Sequence, residues 1–277
     1  MDTLEEVVEN IKAVKVQGAK EIAIYSLKFL RKFCKKNGFK LKFEVAAKVL
    51  EEARPTAVVL HNCLEILKKN RKLSTIDNLI RVLEKSTEKI ALKGSKLIKP
   101  EYKIMTHCHS GEALAMIKRA WRDGKKISVV VTETDPLEQG VKTAKELIKL
   151  KIPVTVITDN AVGYFMKDVD CVLVGSDSIR KHGVINKIGT SLLAFAAKQN
   201  KKPFYIAADT LKFDKRKKII IEERSPKEVY RGLVRPRNLK HVKIRNPAFD
   251  ITPWKFVTAV VTEKGILKPK QVMRMLK

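Results

Sequence analysis

The chain has 277 residues, 58 Lys and Arg against 30 Asp and Glu, a formal net charge of +28 and 44% hydrophobic residues. At ~150 residues per domain this length suits two domains, and the hydrophobic content excludes a wholly disordered chain. No stretch approaches the ~20 uncharged apolar residues of a membrane span. The start, Met1-Asp2-Thr3-Leu4-Glu5-Glu6, is acidic where a secretory signal is basic, so a soluble cytoplasmic protein is expected. The four cysteines (Cys34, Cys63, Cys108, Cys171) are scattered and form no CxxC pair, which speaks against a disulfide scaffold and against structural zinc.

The positive charge is spread along the chain. Residues 1–99 carry 22 basic and 12 acidic side chains, and residues 100–277 carry 36 and 18. A surface that is basic throughout attracts polyanions: RNA, acidic proteins or phosphorylated metabolites. Thermal adaptation alone would add Glu along with Lys, and here acid lags behind.

The first ~95 residues follow helical spacing. Leu4, Val7, Val8 and Ile11 mark one helix, Ile22, Ala23, Leu27 and Leu30 a second, and Ala46, Ala47, Val49 and Leu50 a third. Ala57, Val58, Leu60, Leu64 and Leu67 mark a fourth, with Pro55 at its start. Ile76, Leu79, Ile80 and Leu83 begin a fifth. After Pro100 short β-branched runs alternate with amphipathic segments. Strands are expected at 103–108, 127–133, 154–159, 171–176, 204–208 and 242–245, and helices at 112–123, 139–150, 161–166 and 189–200. This alternation predicts an α/β fold with a mostly parallel sheet, its strands buried on both faces, behind an all-helical N-terminal domain. The expected division is 1–98 helical and 99–277 Rossmann-like. The basic run at 212–218 (KFDKRKK) reads first as a solvated loop, with phosphate or RNA contact as the alternative.

Sites in such folds lie at the carboxyl ends of strands. Cys108, Glu133, Asp159, Asp177 and Asp209 fall at or just past those ends. In Thr106-His107-Cys108-His109-Ser110-Gly111 a strand gives way to a helix start, where backbone N–H groups hold phosphate and a thiol ionises more readily. The alternative is an inert buried cysteine. His107 and His109 flank Cys108 on the opposite strand face, so the three do not converge on a metal. Asp177 is either a helix cap or a site acid. Asn186 and Lys187 place an amide and a cation before a further helix. Cys108 and Asp177 at neighbouring strand ends would form an acid/base couple able to move a proton on a sugar carbon.

Several stretches carry a resemblance: Ala53-Arg54-Pro55-Thr56-Ala57, THCHSG (106–111), VTETDPLEQG (131–140), ITDNA (157–161), VGSDSI (174–179), INKIGT (185–190), RNPAFDITP (245–253) and TEKGI (262–266). With these the chain resembles the translation initiation factor 2B α/β/δ-subunit family, which includes the methylthioribose-1-phosphate and ribose-1,5-bisphosphate isomerases. The resemblance implies a helical N-terminal domain and a Rossmann-like domain through which chains dimerise or form higher homo-oligomers. For the isomerases it implies Cys108 and Asp177 as catalytic groups. Arg54, Gln139, Asn186 and Lys187 would contact the phosphosugar, and Gly18 with the turn His109-Ser110-Gly111 would contact phosphate.

Two departures count against isomerisation. Gln17-Gly18-Ala19 stands where the isomerases resemble R-G-A, and Glu133-Thr134-Asp135-Pro136 where they resemble E-T-R-P. Each replaces a bidentate phosphate partner. A charge reversal ~5 Å from a phosphate is worth about 3 kcal/mol at an effective dielectric of ~20. The leading expectation is therefore a regulatory translation factor that binds initiation factor 2 and senses a nucleotide or sugar phosphate in its cleft. The alternative is an aldose–ketose isomerase of a phosphorylated pentose. Plain RNA binding ranks last, since aromatic residues are only 6% and no RNA module is visible. No cofactor or metal is expected; no GxGxxG follows the first strand.

Overall fold

The computed structural model describes residues 2–13, 15, 16, 18–229 and 242–277. Five helices come first: α1 (Leu4–Lys12), α2 (Ala19–Asn37), α3 (Leu41–Ala53), α4 (Val58–Lys69) and α5 (Leu73–Gly94). Their apolar stripes meet in one core around Leu27, Leu30, Phe43, Leu50, Leu60 and Leu64, all fully buried. The third and fourth helices are separated by Pro55, which lies before α4 rather than at its first turn. The residue preceding a proline is steered out of the helical region. Arg54 accordingly takes φ −151°, ψ 85° and ends α3, and its side chain leaves the helix row.

α5 spans two cores. Ile76, Leu79 and Leu83 belong to the helical core, and Ile90 packs into the layer beneath the sheet. The sheet contains β1 (Lys103–Thr106), β2 (Ser128–Thr132), β3 (Val154–Ile157), β4 (Cys171–Val174), β7 (Phe204–Ala207), β9 (Ala259–Val261) and β10 (Ile266–Leu267). Its order is β10-β9-β7-β4-β1-β2-β3. All neighbours are parallel except β10 against β9. Helices α6 (Gly111–Arg122) and α7 (Gln139–Lys149) follow β1 and β2. The short α8 (Val162–Phe165), α9 (Thr190–Gln199) and α10 (Pro269–Met275) complete the layers. β1, β2 and β4 are buried on both faces as expected, but β3 is an edge strand whose Val156 is 48% exposed.

Two sequence expectations fail here. Residues 242–245 form no strand; the strand of this region is β8 (Phe249–Thr252). It completes a second sheet, β5-β6-β8, built on a hairpin of β5 (Ser178–Arg180) and β6 (Gly183–Lys187) that the sequence reading lacks. The hairpin is two short strands, all eight residues buried, so it shows neither the length nor the polar alternation of an ordinary hairpin. Gly183 (φ 150°) is needed because a Cβ there would sit 2.3 Å from the Thr252 carbonyl oxygen. Nor is 212–218 simply a solvated loop: Lys212 and Asp214 are buried in ion pairs, with Glu112 and Arg180 respectively, while Lys215, Lys217 and Lys218 are exposed.

Gly140 fixes how α7 leaves β2. A Cβ at this position would lie 1.7 Å from the Thr132 carbonyl oxygen, and the Gly140 N–H donates to the Glu133 carbonyl at 3.0 Å. Gly140→Ala should overpack this junction and cost about 1–3 kcal/mol, read as a lower urea midpoint with unchanged slope. An unaltered midpoint would contradict the close approach.

Candidate functional site

The sheet order reverses between β1 and β4. Chain leaves β1 towards one side and β4 towards the other, so a crevice opens at their carboxyl ends. Cys108 follows β1 and Asp177 follows β4. The two connecting turns touch: a Cβ on Gly175 would meet Ser110 Oγ at 2.3 Å. The helical part closes over the crevice through α2 and the α3–α4 turn, leaving a cleft of about 330 Å³. All ten residues chosen from the sequence line it: Cys108, Asp177, Gly18, Arg54, His109, Ser110, Gly111, Gln139, Asn186 and Lys187.

Local structure explains how each arrives. Gly18, with φ 90°, precedes the first turn of α2. Ser110 caps α6, its hydroxyl accepting the Ala113 N–H at 3.3 Å. Asn186 and Lys187 end β6; the Asn186 amide donates to Thr190 Oγ1 at 2.9 Å. Asp177 is not a helix cap, since β5 and not a helix follows it, and its N–H donates to the Ile185 carbonyl. Of the other strand-end acids, Asp159 accepts the N–H groups of Thr134 and Asp135, and Asp209 is buried and caps Leu211.

The cleft is cationic. Lys20, Arg54, Lys142, Lys187, Lys212 and Arg224 face Glu21, Glu112 and Asp177. Four of these cations are partly committed. Lys212 bonds to Glu112 at 3.0 Å with both side chains over nine-tenths buried, and Arg54 and Arg224 share Glu222. Lys20 donates to Thr87 Oγ1. Lys187 is 93% buried and lies 5.5 Å from the Phe249 ring centroid. Two polar atoms, Ser176 Oγ and Gln139 Oε1, are buried without a protein partner. The sequence reading singled out neither Ser176 nor Arg224, and offered Lys212 only within a basic run whose first reading is a solvated loop. The local pattern of that run does not show the burial of Lys212 against Glu112; Arg224 belongs to a segment without regular structure and leaves no periodic signal.

Burial pushes the Cys108 thiol up to about 11, and the Asp177 charge adds to this while Lys187 opposes it. The helix start therefore does not ionise the thiol as the sequence suggested; desolvation outweighs it. Burial also raises Asp177 against the pull of Lys212, Lys187 and Arg54. Lys212 is held above the ordinary lysine range: its burial works against the charge, but Glu112, Asp209 and Asp177 overcome it. Both Cys108 and Asp177 are only half-buried and so are open to a ligand. Among the described residues, no group of three or more His, Cys, Asp or Glu is arranged to hold a metal ion.

One of the two departures weighs less than the sequence suggested. Asp135 is exposed and does not line the cleft, so its charge does not oppose a bound phosphate at contact distance. Gln17 lies outside the described residues.

The profile of the initiation factor 2 subunit family matches residues 15–269. The chain belongs to this family. It is 41% identical to a Methanocaldococcus jannaschii protein named ribose 1,5-bisphosphate isomerase, across 98% of this chain and 93% of that one. It is 39% identical to a protein of Acetivibrio thermocellus named methylthioribose-1-phosphate isomerase, across 95% and 88%. The solved structure of Pyrococcus horikoshii translation initiation factor eIF-2B superimposes with a TM-score of 0.85 at 29% identity, covering 99% of this chain and 98% of that one.

The thiol environment is directly testable. Cys34, Cys63 and Cys171 are buried, whereas Cys108 is half-buried, so iodoacetamide should modify Cys108 first in the native protein. Only the thiolate reacts. The rate should climb about tenfold per pH unit from pH 7 to 10, because the thiolate fraction does so below the pKa. A plateau near pH 8.5 would show an unperturbed thiol.

Proposed function

We propose that this family member is an aldose–ketose isomerase acting on a phosphorylated pentose of the ribose 1,5-bisphosphate type. The observation that carries the reading is the meeting of Cys108 and Asp177 in one cationic cleft with every residue picked for phosphosugar contact. The names of its relatives support it, and the exposed Asp135 removes an objection. With Arg54 and Arg224 paired to Glu222 and Glu228, and Lys212 to Glu112, the cleft cations with no carboxylate ion-pair partner among the described residues are Lys20, Lys142 and Lys187, which suits a phosphorylated ligand.

Isomerisation takes a proton from C2, opens the sugar ring with a proton on its oxygen, and returns a proton to C1 while the C2 hydroxyl proton leaves. Cys108 and Asp177 divide these moves. The thiol rests protonated and supplies a proton; the carboxyl group of Asp177 exchanges one on the other side. Lys187, Arg54 and the N–H groups opening α2 and α6 hold the phosphates. Ser176 Oγ and Gln139 Oε1 find their partners among the sugar hydroxyls.

A second reading, a regulatory factor that contacts initiation factor 2, is favoured by the likeness to the P. horikoshii factor. In either case the exposed apolar Tyr164, Leu192 and Phe195 on α8 and α9 suit contact between copies of this chain. No helix among the described residues is long and apolar enough to cross a membrane.

Purified protein is expected to turn over ribose 1,5-bisphosphate, and Cys108→Ser and Asp177→Asn should each lower kcat by about 10²–10⁴-fold, the usual range for loss of a general acid or base. Absence of turnover with this sugar and with methylthioribose 1-phosphate, together with capture of initiation factor 2 in a pull-down, would transfer the weight to the second reading.

A further inference from the structure

His107 belongs to the THCHSG stretch, yet the proposed chemistry leaves it unused. The residue is buried, at 1% exposure, and borders the cleft next to Cys108. Both ring nitrogens are engaged. Nε2 lies 2.7 Å from the Ile188 carbonyl oxygen and Nδ1 lies 2.6 Å from Thr132 Oγ1. A carbonyl can only accept, so Nε2 carries the proton and Nδ1 accepts from the Thr132 hydroxyl. Asp159 stands 3.8 Å from Nδ1, but its carboxylate is taken up by the N–H groups of Thr134 and Asp135.

The bonds continue beyond the ring. Thr132 Oγ1 is 3.1 Å from Thr134 Oγ1, and Thr134 Oγ1 accepts the Cys108 backbone N–H at 2.8 Å. Thr132 and Thr134 are themselves fully buried. Cys108 and Thr134 both occupy the left-handed region, with φ 66° and 64°, which side chains with a Cβ adopt only when held there. At the other end the ring packs on Gly189, where a Cβ would come within 3.1 Å of it. A chain of contacts thus runs from the thiol-bearing residue, through two threonines and an imidazole, to the Ile188–Gly189 peptide, the Thr134 hydroxyl dividing its proton between Thr132 Oγ1 and the Thr132 carbonyl at 3.2 Å.

We infer that His107 is a positioning residue with two outputs, holding Cys108 through Thr132 and Thr134, and holding Lys187 through the Ile188 carbonyl. The inference rests on the reading of Cys108 as an acid/base group and of Lys187 as an anion contact. Two near-isosteres separate the outputs. The amide nitrogen of Gln reaches the Nε2 position and keeps the Ile188 bond; the amide oxygen of Asn overlays Nδ1 and keeps the Thr132 bond.

In His107→Gln, kcat should fall about tenfold or more with little change in KM, and alkylation of Cys108 should quicken as its backbone relaxes. In His107→Asn, KM should rise about tenfold with kcat little changed. Thr132→Val removes only the hydroxyl and should match His107→Gln, which keeps the test open if the ring cannot be replaced. Equal changes in kcat and KM in both ring variants, or a lowered Tm with both constants unchanged, would reduce His107 to packing. If the wild-type protein turns over neither sugar phosphate, alkylation rate replaces kcat, and the thermal shift produced by inorganic phosphate replaces KM. A split between those two readouts would then uphold the positioning role while the isomerase reading falls; no split would remove the role as well.

Discussion

The pairing of β1 with β4 is the constraint on which the remainder of the site depends. Only two residue pairs define it, Ile104 with Cys171 and Met105 with Val172. Parallel neighbours in a sheet lie about 4.8 Å apart, so the chain must deliver the residues that follow these strands to adjacent points. The strands end, the connections diverge, and nothing from the sheet itself fills the space. A carboxylate three residues past one strand and a thiol two residues past the other then share a crevice. The hairpin β5–β6 and the α3–α4 turn close it from two further directions. Changing the order of these two strands would scatter every group named in the cleft.

Desolvation and cationic charge oppose each other inside this crevice, and their balance differs from residue to residue. Around Lys212 stand Glu112, Asp177 and Asp209. One ammonium cannot neutralise three carboxylates, so burial drives Asp209 up to about 6 and raises Asp177 as well. Glu112, in direct contact with Lys212, is drawn below the ordinary range even though its burial acts the other way. Buried pairs of this kind contribute little net stability, while loss of one partner is costly. Burial, not these pairs, raises the Cys108 thiol and the Asp177 carboxyl group, with Lys187 opposing the shift at both and Lys212 opposing it at Asp177. All of these groups lie on the α/β part of the chain, at or near the carboxyl ends of its strands.

How far the sequence revealed this can be judged residue by residue. Cys108 and Asp177 were legible because strand ends in alternating α/β patterns are where chemistry collects, and because the apolar runs before them are unmistakable; Asn186 and Lys187 were legible from their place before a helix start and from the resemblance, not from the strand they end. Arg54 was legible from its resemblance, and its geometry also follows from Pro55. The β5–β6 hairpin was not legible: three- and five-residue strands buried on every side look like loop followed by helix. The run at 242–245 misled for the converse reason, being β-branched and alternating but unpaired, while Phe249–Thr252 earned its strand from the partner β6. Lys212 sat inside a run of basic residues that resembles solvated surface. Its burial depends on Glu112, 100 positions away, and no local pattern encodes that.

The cleft's own polar groups support its proposed reading. Burying a polar atom without a partner costs about 1–3 kcal/mol. Ser176 Oγ and Gln139 Oε1 are both buried without a protein partner, and both line the cleft. Lys187 adds an ammonium that is 93% buried beside an aromatic face and faces the same space. A fold of this size retains only a few kcal/mol of margin, so three such features in one place are a burden that a ligand rich in hydroxyls and phosphate would relieve. A surface that merely docked a protein would be expected to place its determinants on the outside, where water already satisfies them. Here they converge inward, on the thiol and the carboxyl group, and the +28 net charge of the chain has the sign that attracts anions.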